Sequence, residues 1–503
     1  MKNLNFKRSV IQWGNVFEKS MEIIPVMRVA LIIMLLRSVY SESNVDQRHC
    51  EEVVSEWASS SLEKEGKNDN YVLRDLLFFL HIPRTGGRTY YHCFLRKLYA
   101  NNQECPRSYD KLRFDPSKQD CKLLVTHDDY SMISKFPEEK VSVVTILRNP
   151  VDRVFSSYEF SIEVAARFLV HPNLTSATQM TGRIRNKTGG VSTLDIWPWK
   201  YLVPWMREDL FSRREASELN GVGNLRSSNP YNMKEIVMPL VDYINDPVTR
   251  DIVHNGATLQ IAGLTNNSYF PGAHEIRHCI QKYVNLGEFA LKVAKKRLDD
   301  MLYVGLTENH RESASMFAHI VGSQVISQSL TSNTSMKKPA FNTLERVSDS
   351  KFITEDPKFD QNKETTNESQ NPIAEVVEGN MTVGKLMDAY EDCISSLRKS
   401  QSKRRSASLK RIAPANFSKQ DRTRVSEDVI EKIKALNRLD MELYNYALDL
   451  FARQTAAKPT RNDFFNQAAG SLSLTVGLIF ALFSLFIFFL SFSAKRRTFK
   501  IKL

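Results

Sequence analysis

Arg84-Thr85-Gly86-Gly87-Arg88-Thr89 is the run in this sequence best equipped for chemistry. Its arginines carry charge and its threonines carry hydroxyl donors. Its paired glycines allow a sharp turn that leaves backbone N–H groups pointing outward, an arrangement that suits a phosphate. The same string also suits a plain strand-to-helix turn with solvent-facing arginines, and alone it does not choose between them. It is not the nucleotide-triphosphatase loop, because G-x-x-x-x-G-K-[ST] does not occur in the chain. A second cationic candidate pairs Arg148 with Ser156, eight positions later, across Asn149-Pro150 and into a helical pattern that holds Arg153. His127, followed by Asp128-Asp129-Tyr130, adds one imidazole, a group suited to taking a proton from a hydroxyl. Two separated phosphate grips and one base call for a donor with two phosphates and an acceptor hydroxyl. The bland alternatives are a hydrogen-bonding core histidine at 127 and an ordinary salt-bridge partner at 148.

These groups can meet only if strands end side by side. Phe78-Phe79-Leu80 precedes the glycine loop, Cys121–Thr126 precedes His127, and Val141–Leu147 precedes Arg148. Each is a short apolar run of the kind buried in a parallel sheet. Ligands gather at the C-terminal ends of such strands. The residues from Thr89 to Leu98 have helical spacing, and a periodic helix over Glu288–Leu298 leads to a fourth strand at Met301–Leu306. Thr307 and Glu308 then read as core edge, outside the site. The expected fold is α/β, a central parallel sheet flanked by helices, with one C-terminal transmembrane helix.

The organisation follows from composition. Residues 42–70 are polar and expected to be an exposed lead-in to a core spanning 71–325. Within that core, 164–230, with Trp197, Trp199 and Trp205, reads as an irregular insertion. Residues 326–425 read as a flexible, glycosylatable insertion ending in a basic segment, Lys403-Arg404-Arg405 and Lys410-Arg411. That patch is either a solvated face or a surface that steers acidic substrates. Residues 426–455 have the spacing of one long C-terminal core helix.

The 503 residues carry a formal charge of +12, which points to an acidic partner, though the charge is spread out and no nucleic-acid module occurs. Residues 1–41 have the pattern of a secretory signal, with Met21 and Met27 as alternative starts. From Leu472 to Ala494 the chain is almost wholly apolar and uncharged, and the tail 495–503 opens with Lys495-Arg496-Arg497. By length and the positive-inside rule this reads as a spanning helix with a cytosolic basic tail and a lumenal domain. The six cysteines, Cys50, Cys93, Cys105, Cys121, Cys279 and Cys393, suit disulfides in an oxidising lumen, with pairing left open. None is spaced as a metal ligand. Acceptor sequons stand at Asn173, Asn186, Asn266, Asn333, Asn367, Asn380 and Asn416.

Four strings carry a resemblance to a known family. They are Phe79 to Thr89, Thr145 to Ser156, Gly305-Leu306-Thr307-Glu308, and Leu436 to Phe451. Together they resemble sulfotransferases that use 3′-phosphoadenosine 5′-phosphosulfate (PAPS), most nearly the heparan sulfate 6-O-sulfotransferase type. A cleavable signal with a C-terminal anchor looks instead like the plant tyrosylprotein sulfotransferases, which share that sequence pattern. The resemblance implies a P-loop-like sulfotransferase fold with PAPS as co-substrate and no metal. Arg84, Thr85, Gly86, Gly87, Arg88 and Thr89 would then hold the 5′-phosphosulfate, and Arg148 with Ser156 the 3′-phosphate. His127 would be the catalytic base, with Arg84 assisting. The family usually has Lys at position 84; an arginine there keeps its charge and cannot act as a proton donor at working pH. The implied acceptors are tyrosines near acidic residues in secreted peptide precursors, modified at the Golgi membrane. The alternative acceptor is a glycan hydroxyl.

Overall fold

The computed structural model describes residues 45–63, 72–105, 121–137, 140–188, 192–219, 229–334 and 381–456. Contacts divide the chain into two units, Met1–Leu448 and Asp449–Leu503, and the sheet and candidate site lie in the first.

The elements that matter to the site follow in chain order. Helix α1 covers residues 45–63. Strand β1 (Leu76–Leu80) leads through the glycine loop into α2 (Gly87–Tyr90), which continues helically through Tyr91–Leu95 and Arg96–Leu98. Strand β2 (Leu123–Thr126) and β3 (Val141–Leu147) follow, and β3 runs into α3 (Pro150–Phe168). Helices α4 (Trp199–Leu219), α5 (Gly256–Ile261) and α6 (Gly287–Asp300) precede strand β4 (Tyr303–Leu306). The C-terminal part supplies α7 (Val383–Leu409), α8 (Glu427–Leu436) and α9 (Arg438–Ala456).

All four strands are buried along their whole length and pair in parallel in the order β2-β1-β3-β4. Burial on both faces is why these strands read as mostly apolar runs and not as alternating ones, with Ser142, Thr145 and Thr126 the polar residues among them. Leu80 is in register with Thr126 on one side and Thr145 on the other, so β1 and β2 end level and β3 ends close beside them. From β1 the chain crosses to β2 on one side, then returns to β3 on the other. That reversal opens a crevice at the carboxyl ends of β1 and β3, where doubly wound sheets bind ligands.

Helix α3 stands at that crevice because its start is well specified. Asn149 caps it, accepting from Val151 N at 3.1 Å and Asp152 N at 3.4 Å, and Pro150 fills the first turn. Its apolar face packs with Leu202, Val203 and Met206 of α4 and with Leu409, Ile412, Phe417 and Ile433 from the C-terminal part.

Several expectations about the organisation are corrected. The lead-in 42–70 contains α1, whose Cys50, Val54, Trp57 and Ala58 are buried and whose Cys50 is bonded to Cys279. The insertion at 164–230 is largely helical, with Leu174–Thr188 and α4, and it buries Trp197 and Trp199. The expected flexible segment 326–425 divides: 335–380 lies outside the described residues, but α7 is a helix that buries Leu386, Tyr390 and Ile394. The single helix expected over 426–455 is two helices broken at Asn437. The remaining cysteines form Cys93–Cys393 and Cys105–Cys121. The signal region 1–41, the apolar segment 472–494, the tail 495–503 and the sequons at Asn367 and Asn380 lie outside the described residues. Among the described residues no helix is long and apolar enough to cross a membrane.

Candidate active site

The loop after β1 is built around two left-handed backbone positions, Arg84 at φ 69° and Gly86 at φ 87°. Glycine takes such a φ freely, but arginine does so at a cost on the order of 1–3 kcal/mol, so neighbouring contacts must hold it. Three do. Arg84 Nε donates to Ser156 Oγ at 3.0 Å, its guanidinium lies 4.2 Å from the Phe160 ring centroid, and its carbonyl accepts from Arg148 Nη1 at 3.2 Å. The loop also locks itself, with Thr85 Oγ1 donating to Ile82 O at 2.9 Å. Thr307 Oγ1, from beyond β4, lies 2.6 Å from Thr85 O and 2.9 Å from Leu147 O, joining the loops that follow β1 and β3. Gly87 has no room for a side chain, because a Cβ there would lie 2.2 Å from His81 Cδ2.

His127 hangs from the same loop. Its Nδ1 lies 2.8 Å from His81 O, and its ring stacks on that of His81 with centroids 4.2 Å apart. A carbonyl only accepts, so Nδ1 carries the proton and the neutral ring keeps its lone pair on Nε2. Burial holds the His127 pKa down at about 4; the His81 carbonyl opposes the shift and the Arg84 charge adds to it. The His81 pKa is pushed well below its usual value by burial, and further by His127, Arg84, Arg88 and His92. Both rings are neutral near pH 7.

The cations carry matching strain. Burial, and then the like charge of Arg148, lowers the Arg84 pKa to about 10 against the pull of Glu163 and Glu159. Burial also lowers that of Arg148. Arg148 Nε is buried with no hydrogen-bond partner among the described residues. A buried donor without a partner is costly, and a phosphate oxygen would satisfy it.

The structure thus brings Arg84, Arg148, Ser156 and His127 around one loop. It differs from the expectation of two separate grips in one respect: Arg84 is bonded to Ser156, so the two candidate phosphate sites touch. Thr85 is 1% exposed with its hydroxyl committed within the loop, so it can serve a ligand through its N–H but not as a free hydroxyl. Arg88 is exposed, and Thr89 is half-buried with its N–H bonded to Gly86 O at 2.9 Å. Thr307, which the sequence places at a core edge, holds the loop; it lies in the Gly305–Glu308 string that shares the family resemblance, but nothing local shows its bonds to distant backbone atoms. Arg153 is 1% exposed and pairs with Asp440 at 2.6 Å, while its Nε, like that of Arg148, is buried without a hydrogen-bond partner among the described residues.

At its switch point, then, the sheet brings the guanidinium groups of Arg84 and Arg148 around one loop with the neutral imidazole of His127. That defines the class: a phosphate-holding α/β enzyme of the group-transfer kind. No family model matches the chain. It is 57% identical over 437 residues to a protein-tyrosine sulfotransferase from Arabidopsis thaliana, an overlap covering 86% of this chain and 87% of that one. The chain belongs to the protein-tyrosine sulfotransferase family. That membership implies PAPS as the sulfuryl donor, and the clustered arginines with the unpartnered Arg148 Nε fit its phosphates.

Proposed function

We propose that this chain transfers the sulfuryl group of PAPS to tyrosine hydroxyls of secreted peptide precursors, yielding tyrosine O-sulfate and adenosine 3′,5′-bisphosphate. The single observation that carries this reading is the 57% identity across nearly the whole of a protein-tyrosine sulfotransferase. PAPS supplies an activated sulfuryl group on a phosphate leaving group. The loop from Arg84 to Thr89 neutralises charge on that phosphate through its guanidinium groups and N–H donors. Arg148 and Ser156 hold the 3′-phosphate. His127 takes the acceptor proton on Nε2.

The proton step has a constraint. A free tyrosine hydroxyl has a pKa of about 10, far above the value of about 4 for His127. Transfer before bond formation is strongly uphill. In a loose, in-line transition state the acceptor oxygen becomes acidic only as its bond to sulfur forms, so the proton moves late.

Acidic residues flanking the acceptor tyrosine fit the surface beside the loop. His92 is held down at about 3 by burial and then by Arg88, Arg96 and Arg404, a gathering of cations from α2 and α7. We place this chemistry in the Golgi lumen, on a single-pass type I protein anchored through 472–494, with glycans on its exposed sequons. The test gives the full-length protein labelled PAPS with a peptide carrying Tyr beside Asp, and separately with heparan sulfate. Label on the peptide tyrosine alone is expected. Label on the glycan alone overturns the acceptor assignment, and protease accessibility of the domain in sealed Golgi vesicles overturns the topology.

A further inference from the structure

Gln260, in α5, is 1% exposed and sits where the loops after β1 and β2 meet. Its Nε2 lies 2.9 Å from His127 O, 3.0 Å from Asp128 O and 3.3 Å from His81 O. One amide therefore spans three carbonyls from two loops. One of those carbonyls, His81 O, is the same atom that fixes His127 Nδ1. The chain just beyond Gln260 continues the grip. Thr265 donates to Asp129 from its N–H at 2.9 Å and from its hydroxyl at 2.8 Å, and Asn267 donates to Asp128 Oδ1. His127, Asp128 and Asp129 are thus each held by the segment 260–267 and not by the sheet alone.

We infer that Gln260 is a positioning residue for His127, fixing the ring's height and tilt through the shared His81 carbonyl, with Thr265 steadying the same segment. This rests on the reading of His127 as the base. The geometry gives the reason. The carbonyls of His81, His127 and Asp128 all converge on the buried Gln260 amide, where they repel one another unless a donor lies between them. Without that donor the two loops separate, and the imidazole loses the carbonyl that sets its tautomer.

Among the described residues, the charged and titratable groups around His127 include the His81 ring stacked on it, Arg84, and, next to His81, Arg88 and His92. Asp128 and Asp129 are occupied by Asn267 and Thr126, and by Thr265 and Ser131. Loosening the loop admits water and lets His127 titrate closer to the ordinary histidine range.

The test compares full-length wild type with Gln260→Met, which keeps length and removes the donor, and Gln260→Glu, which sets a carboxylate against the carbonyls. Expected results are a kcat lower by roughly tenfold or more for Gln260→Met, and lower still for Gln260→Glu at neutral pH. KM for PAPS and the binding of adenosine 3′,5′-bisphosphate should stay within about twofold, and the acid limb of kcat should move to higher pH. A folded Gln260→Met with wild-type kcat and pH profile overturns the inference. If neither variant folds, Thr265→Val carries the test: it removes one hydroxyl from Asp129, and an unchanged kcat overturns the positioning role of the segment. His127→Ala run alongside separates the two readings. If it retains turnover, the base assignment fails; if it is inactive while Gln260→Met is normal, only the role of Gln260 fails.

Discussion

The two stacked imidazoles of His81 and His127 make acid sensitivity a built-in property of the site. His127 is held at about 4, His92 at about 3, and His81 well below the ordinary value of 6.5. Each depressed group is more basic in the unfolded chain than in the folded one. The unfolded state therefore binds more protons between the two values, and stability falls as pH falls. The contribution is complete above about pH 6.5 and is lost as pH drops toward the folded values near 4 and 3. Asp129 and Asp251, raised by burial, work against this slope. The clean measurement is thus a difference in slope: His127→Gln should flatten the dependence of the urea midpoint on pH between about 4 and 6.5. An unchanged slope means His127 is not held neutral. A second expectation concerns Gly87. Its Cβ space is taken by the His81 ring at 2.2 Å, and that ring cannot retreat without unstacking from His127. Gly87→Ala should cost about 1–3 kcal/mol of stability and reduce turnover more than the stability loss alone explains; urea unfolding and single-turnover rates together check this.

Among elements, α7 shows how sequence and structure can diverge. In its first half the buried positions Leu386, Tyr390 and Ile394 recur every four residues, and polar and charged residues dominate the stretch from Arg398 to Arg405 that follows. Beside the Ser- and Glu-rich stretch before it, so thin an apolar stripe reads as solvated chain. What fixes α7 is distant: Cys393 bonds to Cys93 across a separation of 300 residues, and Tyr390 stacks on Phe94 with centroids 4.1 Å apart. Neither contact is visible in a local window. The strands were legible for the opposite reason, since burial on both faces writes itself as a mostly apolar run. The break at Asn437 was hidden as well. Its amide donates to Val253 O at 2.7 Å and to Ile433 O at 2.9 Å, so a tertiary partner ends α8 while the helical spacing runs on through the junction. Of the site, the loop, Arg148 and His127 could be read because glycine, charge and imidazole are rare in such places; the ties of Gln260 and Thr307 to the loops could not, because a buried amide and hydroxyl bonded to remote carbonyls look like any others. The link between α2 and α7 can be tested directly. The double variant Cys93→Ser, Cys393→Ser should lose about 2–4 kcal/mol of stability, measured by urea unfolding under non-reducing conditions. It should also raise KM for an acidic peptide while leaving adenosine 3′,5′-bisphosphate binding near wild type, because the loop is held separately by Arg148 and Thr307.

For the molecule as a whole, a charge of +12 means little until its place is known. It is what remains after the acids are counted, and some basic residues are paired with those acids: Glu159 takes both Arg405 and Arg422, and Arg153 is paired with Asp440. Around His92 cations gather: burial and then Arg88, Arg96 and Arg404 all lower its pKa. That cluster of cations lies next to the loop proposed to hold the donor, so a peptide whose tyrosine enters the site would run its flanking residues past it. Charge at such a rim acts chiefly on encounter and orientation, not on the chemical step. Exposed pairs are worth about 0.2–1 kcal/mol each. Arg404→Gln should therefore raise KM for a peptide with acidic flanks by about two- to fivefold, with kcat nearly unchanged and little effect on a peptide with neutral flanks. Salt should act the same way on the wild type. Raising ionic strength past 0.15 M, where the screening length is about 8 Å, should weaken the acidic peptide and leave the neutral one alone. If Arg404→Gln weakens both peptides equally, the arginines serve the donor, and the preference for acidic flanks arises elsewhere on the surface.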